Sequence, residues 1–378
     1  MKNVKRALDT VETFPKHPRD EAFHMSARFS FTSRRSAALT VAAAGIVLAL
    51  AGCSSATPAA DGDAESLGDL SVQLSWIKNE EFAGEFFALD KGYYEDAGLG
   101  DVTLTAGPST GSAELLSGKT DIALSDAIST GTVVANEEAP LKIIGATFQK
   151  NPFTILSIAD AGNILTPEDM VGKKIGVQAS NTSLFEALLA ANDIDADSLE
   201  IVPVGYDASV LINGDVDGFV GYLTNESIAV AAQGYEVANL PFADNGLPFV
   251  AETVTVTDQS IAENRDALKA FLLAEIQGWT DAVNDTDAAA ELALELNGEE
   301  AVPDIEASKA GSKAQAELLV VSDETVENGL FTISDELQSE SIASLAAAGI
   351  DLEASDLFDL SLLTEVYEEN PELVAYAK

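Results

Sequence analysis

The stretch LSWIKNEEFAGEFFALDKGYYEDAGL, residues 74–99, groups a tryptophan with five further aromatic side chains in a chain whose aromatic content is only 7%. Such a cluster is either core or a binding surface. Apolar and aromatic side chains recur within it at spacings of four, three and four, at Phe82, Phe86, Leu89 and Tyr93. This spacing predicts the buried stripe of an amphipathic helix. Phe87 and Tyr94 fall outside the stripe, and their role stays open.

The segments around this helix predict an α/β fold. SVQLSW (71–76), DVTLTA (101–106) and TDIALS (120–125) have the length and composition of short strands, and helical patterns lie between them. This alternation is typical of βαβ units and a mainly parallel sheet. Even without a leader, the chain of 378 residues is too long for one compact core of this kind. Two lobes are therefore expected.

An internal repeat also favours two lobes. LLSGKTDIALSDA (115–127) and LINGDVDGFVGYL (211–223) share the pattern L-x-x-G-x-x-D followed by an apolar run. Each copy predicts a short helix, a glycine turn and a strand, which run into Ser125-Asp126 and Gly221-Tyr222. Ligands of open α/β sheets gather beyond the carboxyl ends of strands, so these four positions are expected to face one cleft. The alternative is two unrelated helix–strand joints that share common turn residues.

The first 52 residues have the pattern of an export leader. Arg34 and Arg35 precede an apolar run, residues 37–51, which is too short for a stable membrane span. The run ends in LAGC, which looks like a bacterial lipobox, and Cys53 is the only cysteine of the chain. We therefore predict a signal peptide over 1–52, with Met25 as a second possible start. Lipid on Cys53 and a small, polar, flexible tether over 53–69 follow from this assignment.

Composition excludes several classes of function. The chain has 20 Lys and Arg against 63 Asp and Glu, a formal net charge of −43, which excludes nucleic acid as a partner. Both histidines, His17 and His24, precede Cys53. Ser-His-Asp and Cys-His catalysis and His or Cys zinc sites are thereby removed from the rest of the chain. No EF-hand spacing stands out, and we predict neither a metal nor a cofactor.

Residues 74–99 resemble the opening motif of the ABC-transporter solute-binding proteins related to thiamine-pyrimidine-precursor binding, a family that includes fungal thiamine-pyrimidine synthases. The motif runs L-D-W-x-x-N, a glycine, and then K-G-Y-[FY]-x-x-x-G-L. The matching positions are Trp76, Asn79, Gly84, Lys91, Gly92, Tyr93, Gly98 and Leu99. Residues 148–178 and 216–227 also resemble the family, so that the similarity covers essentially the whole chain after the leader.

This resemblance implies a two-lobed type II periplasmic-binding-protein fold, with a ligand cleft between α/β lobes joined by two crossing strands. We place the first lobe at 70–159 plus 249–378 and the second at 160–248. The resemblance also implies hinge closure on a small solute and delivery to an ABC permease with its ATPase. A monomer is expected, held on the outer face of the cell membrane by its lipid.

Two positions depart from the family pattern. Ser75 stands where the pyrimidine binders commonly have aspartate, and Phe82 stands where they often have histidine. Loss of the aspartate removes a charged acceptor for a heterocycle's amino group. Ser75 is therefore the position at which a different ligand would first show.

Candidate ligand contacts lie beyond predicted strands and at helix starts, where capping or core packing is the alternative role. The set is Trp76, Asn79, Ser125, Asp126, Gln149, Thr182, Tyr222, Asn225 and Glu226. Trp76 can stack on a planar ligand, and the resemblance assigns Tyr222 to a ring and Glu226 to its amino group.

Few basic residues are present near these positions, which disfavours an anion. The sequence predicts binding of a planar nitrogen heterocycle, with a thiamine pyrimidine precursor as the first candidate and no enzymatic activity. Riboflavin or another flavin-like vitamin is an alternative, as are nitrate, sulfonates or taurine. Two further hypotheses are a vitamin-precursor synthase on the same fold and a surface lipoprotein with an adhesive or sensory role.

Overall fold

The structure is a computed structural model that describes residues 66–376, and these residues belong to one compact unit. The predicted leader, Met25, Cys53 and most of the tether lie outside the described residues. Within residues 66–376, no helix combines the length and the apolar character needed to cross a bilayer.

Residues 66–376 contain two five-stranded sheets with the same plan. The first has the order β2-β1-β3-β10-β4, formed by β1 (Leu70–Gln73), β2 (Val102–Thr105), β3 (Ile122–Asp126), β4 (Leu141–Phe148) and β10 (Ala251–Thr257). The second has the order β7-β6-β8-β5-β9, formed by β5 (Phe153–Ile158), β6 (Lys174–Gln178), β7 (Glu200–Val204), β8 (Gly218–Tyr222) and β9 (Val237–Pro241). Three neighbouring strands of each sheet are parallel, and an antiparallel strand, β10 or β5, follows.

The helices pack on the faces of these sheets. In chain order they are α1 (Ala83–Asp90), α2 (Tyr93–Asp96), α3 (Ser112–Leu116), α4 (Ala127–Glu137), α5 (Thr182–Ala191), α6 (Ser209–Ile212), α7 (Glu226–Ala232), α8 (Asp258–Glu263), α9 (Arg265–Asn284), α10 (Thr286–Asn297), α11 (Ile305–Gln315), α12 (Asp323–Asn328), α13 (Asp335–Ala347), α14 (Ala354–Leu357) and α15 (Ser361–Glu369). Helix and strand alternate around two parallel cores, so the predicted α/β class is confirmed.

The chain passes between the sheets twice, at 149–152 and at 242–250. The first passage comes before the lobe boundary suggested at 159/160, because β5 pairs with β8 and β9 of the second sheet. The apolar run of β5 would suit either sheet, and only its pairing decides where it belongs. The second passage contains the suggested boundary at 248/249.

The helix predicted for the opening stretch is broken in two. Gly92 has a left-handed backbone, with φ of 72°, which ends α1 and restarts the helical register at α2. The predicted stripe is right for Phe82 and Phe86, which are buried, and wrong for Leu89, which is 40% exposed. Phe87 and Tyr94, left open by the spacing, belong to the core.

The two copies of the sequence repeat have matching structures. Gly118 follows α3 and Gly214 follows α6, both with positive φ. The carboxylate of Asp121 accepts the backbone N–H of Ser71 at 2.8 Å, and that of Asp217 accepts the N–H of Lys174 at 2.8 Å. In each sheet the aspartate thus ties the start of one parallel strand to the next.

Helices α1 and α9 cross at a contact between glycines. A Cβ on Gly278 would lie 2.1 Å from the carbonyl oxygen of Gly84, and one on Gly84 would overlap the indole of Trp279. Trp279 is 2% exposed and belongs to the core of the first lobe. The absence of side chains at this crossing is therefore what lets α1 lie against α9.

We predict that Gly278→Ala destabilises the protein. Alanine is favoured over glycine in a helix by about 1 kcal/mol, but overpacking of a tight contact costs about 1–3 kcal/mol or more. Because the added Cβ would clash with a backbone oxygen at 2.1 Å, the cost of overpacking exceeds the gain in helix propensity, and the net effect is destabilising. Gly205→Ala is the control, because Gly205 has no neighbour within 4 Å of an added Cβ. Urea unfolding of both variants measures the difference, and a Gly278→Ala variant as stable as the control contradicts the prediction.

Candidate functional site

A cavity between the sheets lies at the carboxyl ends of β3 and β8. Its empty volume, which includes space open to solvent, is about 520 Å³. Ser125 and Asp126 reach it from the first sheet, and Gly221 and Tyr222 reach it from the second. All four positions at the ends of the sequence repeat thus surround one space, which we call the first cavity.

A second cavity adjoins the first, with an empty volume of about 1190 Å³. Trp76 and Glu226 line both cavities. Of the remaining predicted contacts, Asn79 and Asn225 line only the second cavity.

Gln149 and Thr182 do not line either cavity. The amide of Gln149 donates to the carbonyl oxygens of Ala146 and Thr332, at 3.1 and 2.9 Å, and so holds the first passage between the sheets. Thr182 is exposed, and its hydroxyl donates to the carbonyl of Ala179. Ligand contact by Gln149 and Thr182 therefore stays a prediction that the cavities do not support, since the side chains at strand ends and helix starts do not all point into a cleft.

Two aromatic rings border the first cavity from opposite sheets. Trp76 lies on the loop after β1 and meets Tyr206 edge-on, with 6.4 Å between ring centroids. Tyr222, at the end of β8, stands edge-on against Phe153 at 4.6 Å. Both rings are only half-buried, so each keeps surface available to a ligand.

Asp126 combines the two roles left open for it. Its carboxylate accepts the backbone N–H groups of Ile128 and Ser129 at 2.8 Å, which caps α4, and the residue also lines the first cavity. Burial raises the pKa of this carboxyl above its ordinary value. The neighbouring Ser125 Oγ is buried and has no hydrogen-bond partner among the described residues.

The sequence prediction omitted Glu252, which is central to the first cavity. It sits at an irregular pairing of β10 with β3, and its φ of 43° is unusual for a side-chain-bearing residue. The Ser75 hydroxyl donates to its two carboxylate oxygens at 2.8 and 3.0 Å, and the Tyr222 hydroxyl donates at 3.2 Å. A lone charged residue inside the apolar strand pattern of 249–257 is the signal that could have identified it.

Burial raises the pKa values of three carboxyl groups that line this cavity. Burial raises the pKa of Glu252 to about 7, although hydrogen bonds from its neighbours oppose the shift. Burial raises the pKa of Glu226 to about 7 as well. The pKa of Glu81 is raised well above its usual value, first by burial and then by the Glu252 carboxylate. Near neutral pH the carboxyls of Glu226 and Glu252 are therefore divided between the neutral and the ionised form.

The chemistry of the lining favours a ligand that donates hydrogen bonds. Carboxyl oxygens of Glu81, Asp126, Glu226 and Glu252 face the first cavity, and no Lys, Arg or His is among its lining residues. The Oε2 atom of Glu81 is buried without a partner among the described residues. Buried polar atoms of this kind are normally satisfied. A protonated Glu81 carboxyl can itself donate, whereas the ionised carboxylates of the cavity have an amino or ring N–H group as their natural complement.

No group of three or more His, Cys, Asp or Glu side chains in residues 66–376 is arranged to hold a metal ion. The carboxyls of the first cavity instead bond to hydroxyl and backbone donors, as Glu226 does with the Tyr222 N–H at 2.8 Å. These contacts orient the acids individually toward the cavity.

Comparison with known protein families assigns this chain to one of them. The family described as NMT1/THI5 like matches residues 79–289, more than half of the chain. The chain belongs to this family. The resemblance seen in the opening stretch, residues 74–99, is thereby confirmed.

Two relatives of this NMT1/THI5-like protein are binding proteins. It is 24% identical to the riboflavin-binding protein RibY of Chloroflexus aurantiacus, over 69% of this chain and 78% of that protein. It is 23% identical to the formylaminopyrimidine-binding protein of Halalkalibacterium halodurans, over 66% of this chain and 76% of that protein.

A solved structure confirms the predicted fold. A Candida albicans protein, described as having the generic periplasmic binding protein structural fold, superposes with a TM-score of 0.56 at 16% identity. The match covers 80% of this chain and 95% of that one. The NMT1/THI5-like chain therefore has the periplasmic-binding-protein fold, with its first cavity between the two sheets.

We predict that Glu226→Gln stabilises this NMT1/THI5-like protein more as the pH rises. The native carboxyl titrates near 7 and its ordinary value is 4.5, so the native state holds a proton that the unfolded chain has lost between these values. Wild-type stability thus falls through this window, by up to about 3 kcal/mol for a full shift. Glutamine keeps an oxygen for the Tyr222 N–H and does not ionise.

Urea unfolding at pH 4.5, 6 and 8 tests this expectation. The gain of Glu226→Gln over wild type should grow from pH 4.5 to 7 and then level off. Glu186→Gln, an exposed site on α5, is the matched control. A gain that is the same at all three pH values would show that burial of the charge is not its cause.

Proposed function

We propose that this protein is the extracytoplasmic solute-binding component of an ABC importer and that its first cavity binds a planar nitrogen heterocycle. In this proposal the lobes close on the solute, and the loaded protein delivers it to a permease driven by an ATPase. Lipid on Cys53 would anchor a monomer to the outer face of the membrane, as the leader and the LAGC motif favour.

The observation that carries the proposal is the composition of the first cavity. Four carboxyl groups and three aromatic rings, those of Trp76, Phe153 and Tyr222, line it without a basic residue. An anion such as nitrate or a sulfonate needs Arg, Lys or several helix N-termini to replace its hydration, and here it would meet acidic groups. A flat ring with amino or N–H donors fits the same lining at both its faces and its edge.

Within this class an aminopyrimidine related to thiamine biosynthesis is our first candidate. Trp76 and Tyr222 would contact the ring, and Glu252 and Glu226 would accept from its amino group. Ser75, which departs from the family pattern, donates to Glu252. The carboxylate that other members carry beside the tryptophan is thus supplied here from β10. Riboflavin is the second candidate, favoured by the similarity to RibY.

A synthase on the same fold is the rival from another class of function. Residues 66–376 contain no histidine and no cysteine, the usual nucleophiles and proton carriers. Five of the predicted contacts, Trp76, Ser125, Asp126, Tyr222 and Glu226, line the first cavity. A cleft that closes on a solute needs binding groups of this kind and no reacting side chain. These observations favour transport over catalysis.

We predict that heterocycles, and not anions, raise the melting temperature of the full-length protein. The test compares an aminopyrimidine, riboflavin, taurine and nitrate at matched ionic strength, because a ligand of the native state stabilises by mass action. At a ligand concentration of about 100 times Kd, the expected gain is about 2.7 kcal/mol. Stabilisation by taurine or nitrate alone would reject the heterocycle.

We predict that Trp76→Ala weakens binding of the heterocycle found in that test by about 1–3 kcal/mol, the range for stacking of a base on an aromatic side chain. Tyr235→Ala is the control, since Tyr235 is an exposed aromatic residue that lines neither cavity. Titration calorimetry gives both affinities. Unchanged affinity in Trp76→Ala would remove the ring contact from the proposal.

A further inference from the structure

The second cavity continues the cleft past the site proposed for the ring. It shares Trp76 and Glu226 with the first cavity, and its empty volume is about 1190 Å³ against about 520 Å³. A ligand held between Trp76 and Tyr222 therefore has a larger space beside it, reached past Trp76 and Glu226.

The walls of the second cavity are held in place by contacts between the lobes. Helix α11, from the part of the chain that follows the second passage, packs against α7 of the second lobe. Its Gly311 makes this possible, since an added Cβ would lie 2.7 Å from the carbonyl oxygen of Thr224. Ser308 of α11 donates to the carboxylate of Glu80 at 2.7 Å, and Gln315 donates to the Glu80 carbonyl at 3.2 Å.

The lining of the second cavity mixes polar groups with a larger share of apolar ones, and it lacks basic groups. Amide and carboxylate side chains, Asn79, Asn225, Gln233 and Glu80 among them, stand beside apolar side chains both small and large, and no Lys, Arg or His is among the lining residues. Asn79 is 3% exposed, and its Oδ1 accepts the backbone N–H of Glu81. Its Nδ2 makes no hydrogen bond to the described residues. Such a wall offers many acceptors and several amide donors to a polar chain.

We propose that the second cavity is a subsite for a hydroxyl- or amine-bearing chain attached to the heterocycle. The protein then selects rings that carry such a chain over the same rings without it. This inference rests on the proposed function and adds the class of substituent to it. Trp76 and Glu226 lie where the heterocyclic ring of the ligand would meet its substituent chain.

Two matched pairs of compounds test the subsite on the full-length protein. Riboflavin and lumichrome have related tricyclic ring systems, of which only riboflavin carries a polyhydroxyl chain. Cytidine and cytosine share a pyrimidine with an amino group, and cytidine adds a ribose. Calorimetry should give an affinity about tenfold or more higher for the extended member of the pair that binds, as a few additional hydrogen bonds would provide.

A variant that fills only the second cavity tests whether the affinity gained from the substituent chain arises there. Ala229 of α7 lines only this cavity, so Ala229→Phe should lower the affinity of the extended compound about tenfold and leave that of the bare ring within about twofold. Ala231→Phe is the control, because Ala231 is exposed on the same helix and lines neither cavity. Comparison of the pairs on wild-type protein does not depend on folding of either variant.

The outcomes separate the two proposals. Equal affinities within a pair that binds, or equal losses for both members in Ala229→Phe, overturn the subsite and leave the proposed function intact. Failure of all four compounds, with stabilisation by taurine or nitrate, overturns the proposed function and the subsite with it. Failure of all four together with the anions and a plain aminopyrimidine overturns both as well.

Discussion

The buried carboxylate of Glu252 is the group on which the rest of the cleft depends. It lies in β10, the strand that brings the chain back to the first sheet, and it accepts hydroxyl groups from Ser75 of the first lobe and Tyr222 of the second. A single acceptor thus joins both lobes at the floor of the first cavity. Because it is buried and has no basic neighbour among the cavity residues, its hydrogen bonds are what make its charge tolerable.

Buried acidic side chains that accept hydrogen bonds from hydroxyl groups also occur in the core of the first lobe. Glu85 of α1 and Glu275 of α9 are both 1% exposed, and the Tyr94 hydroxyl donates to Glu275. Burial raises the pKa of Glu275 to about 8 and that of Glu85 well above its usual value. Ion pairs at the surface, such as Lys91 with Asp281, are partly exposed and contribute little. In a chain so rich in acids, the interior relies on protonation and hydroxyl donors in place of cations.

Much of the candidate site could be predicted from local patterns. The repeat ending in Ser125-Asp126 and Gly221-Tyr222 identified both strand ends, since a strand, its turn glycine and its polar terminus are adjacent in sequence. Trp76 was found for the same reason. Glu252 was missed because its role comes from an irregular strand pairing and from partners far along the chain. Gln149 and Thr182 lie outside both cavities, because a position at an element's end does not determine the direction of its side chain.

The sequence by itself determined the α/β class, the family, the repeat and the absence of histidine and cysteine chemistry after residue 53. The class, the repeat and the missing residue types follow from composition and from spacing within short segments, which local sterics and side-chain periodicity control. The family follows from the resemblance of the opening stretch to a known motif. Only the tertiary structure decided that β5 belongs to the second sheet, that Leu89 is exposed, and that Ser75 binds a carboxylate from β10. Strand pairing and buried hydrogen bonds join residues distant in the chain, and one sequence without its fold carries no direct record of those distances.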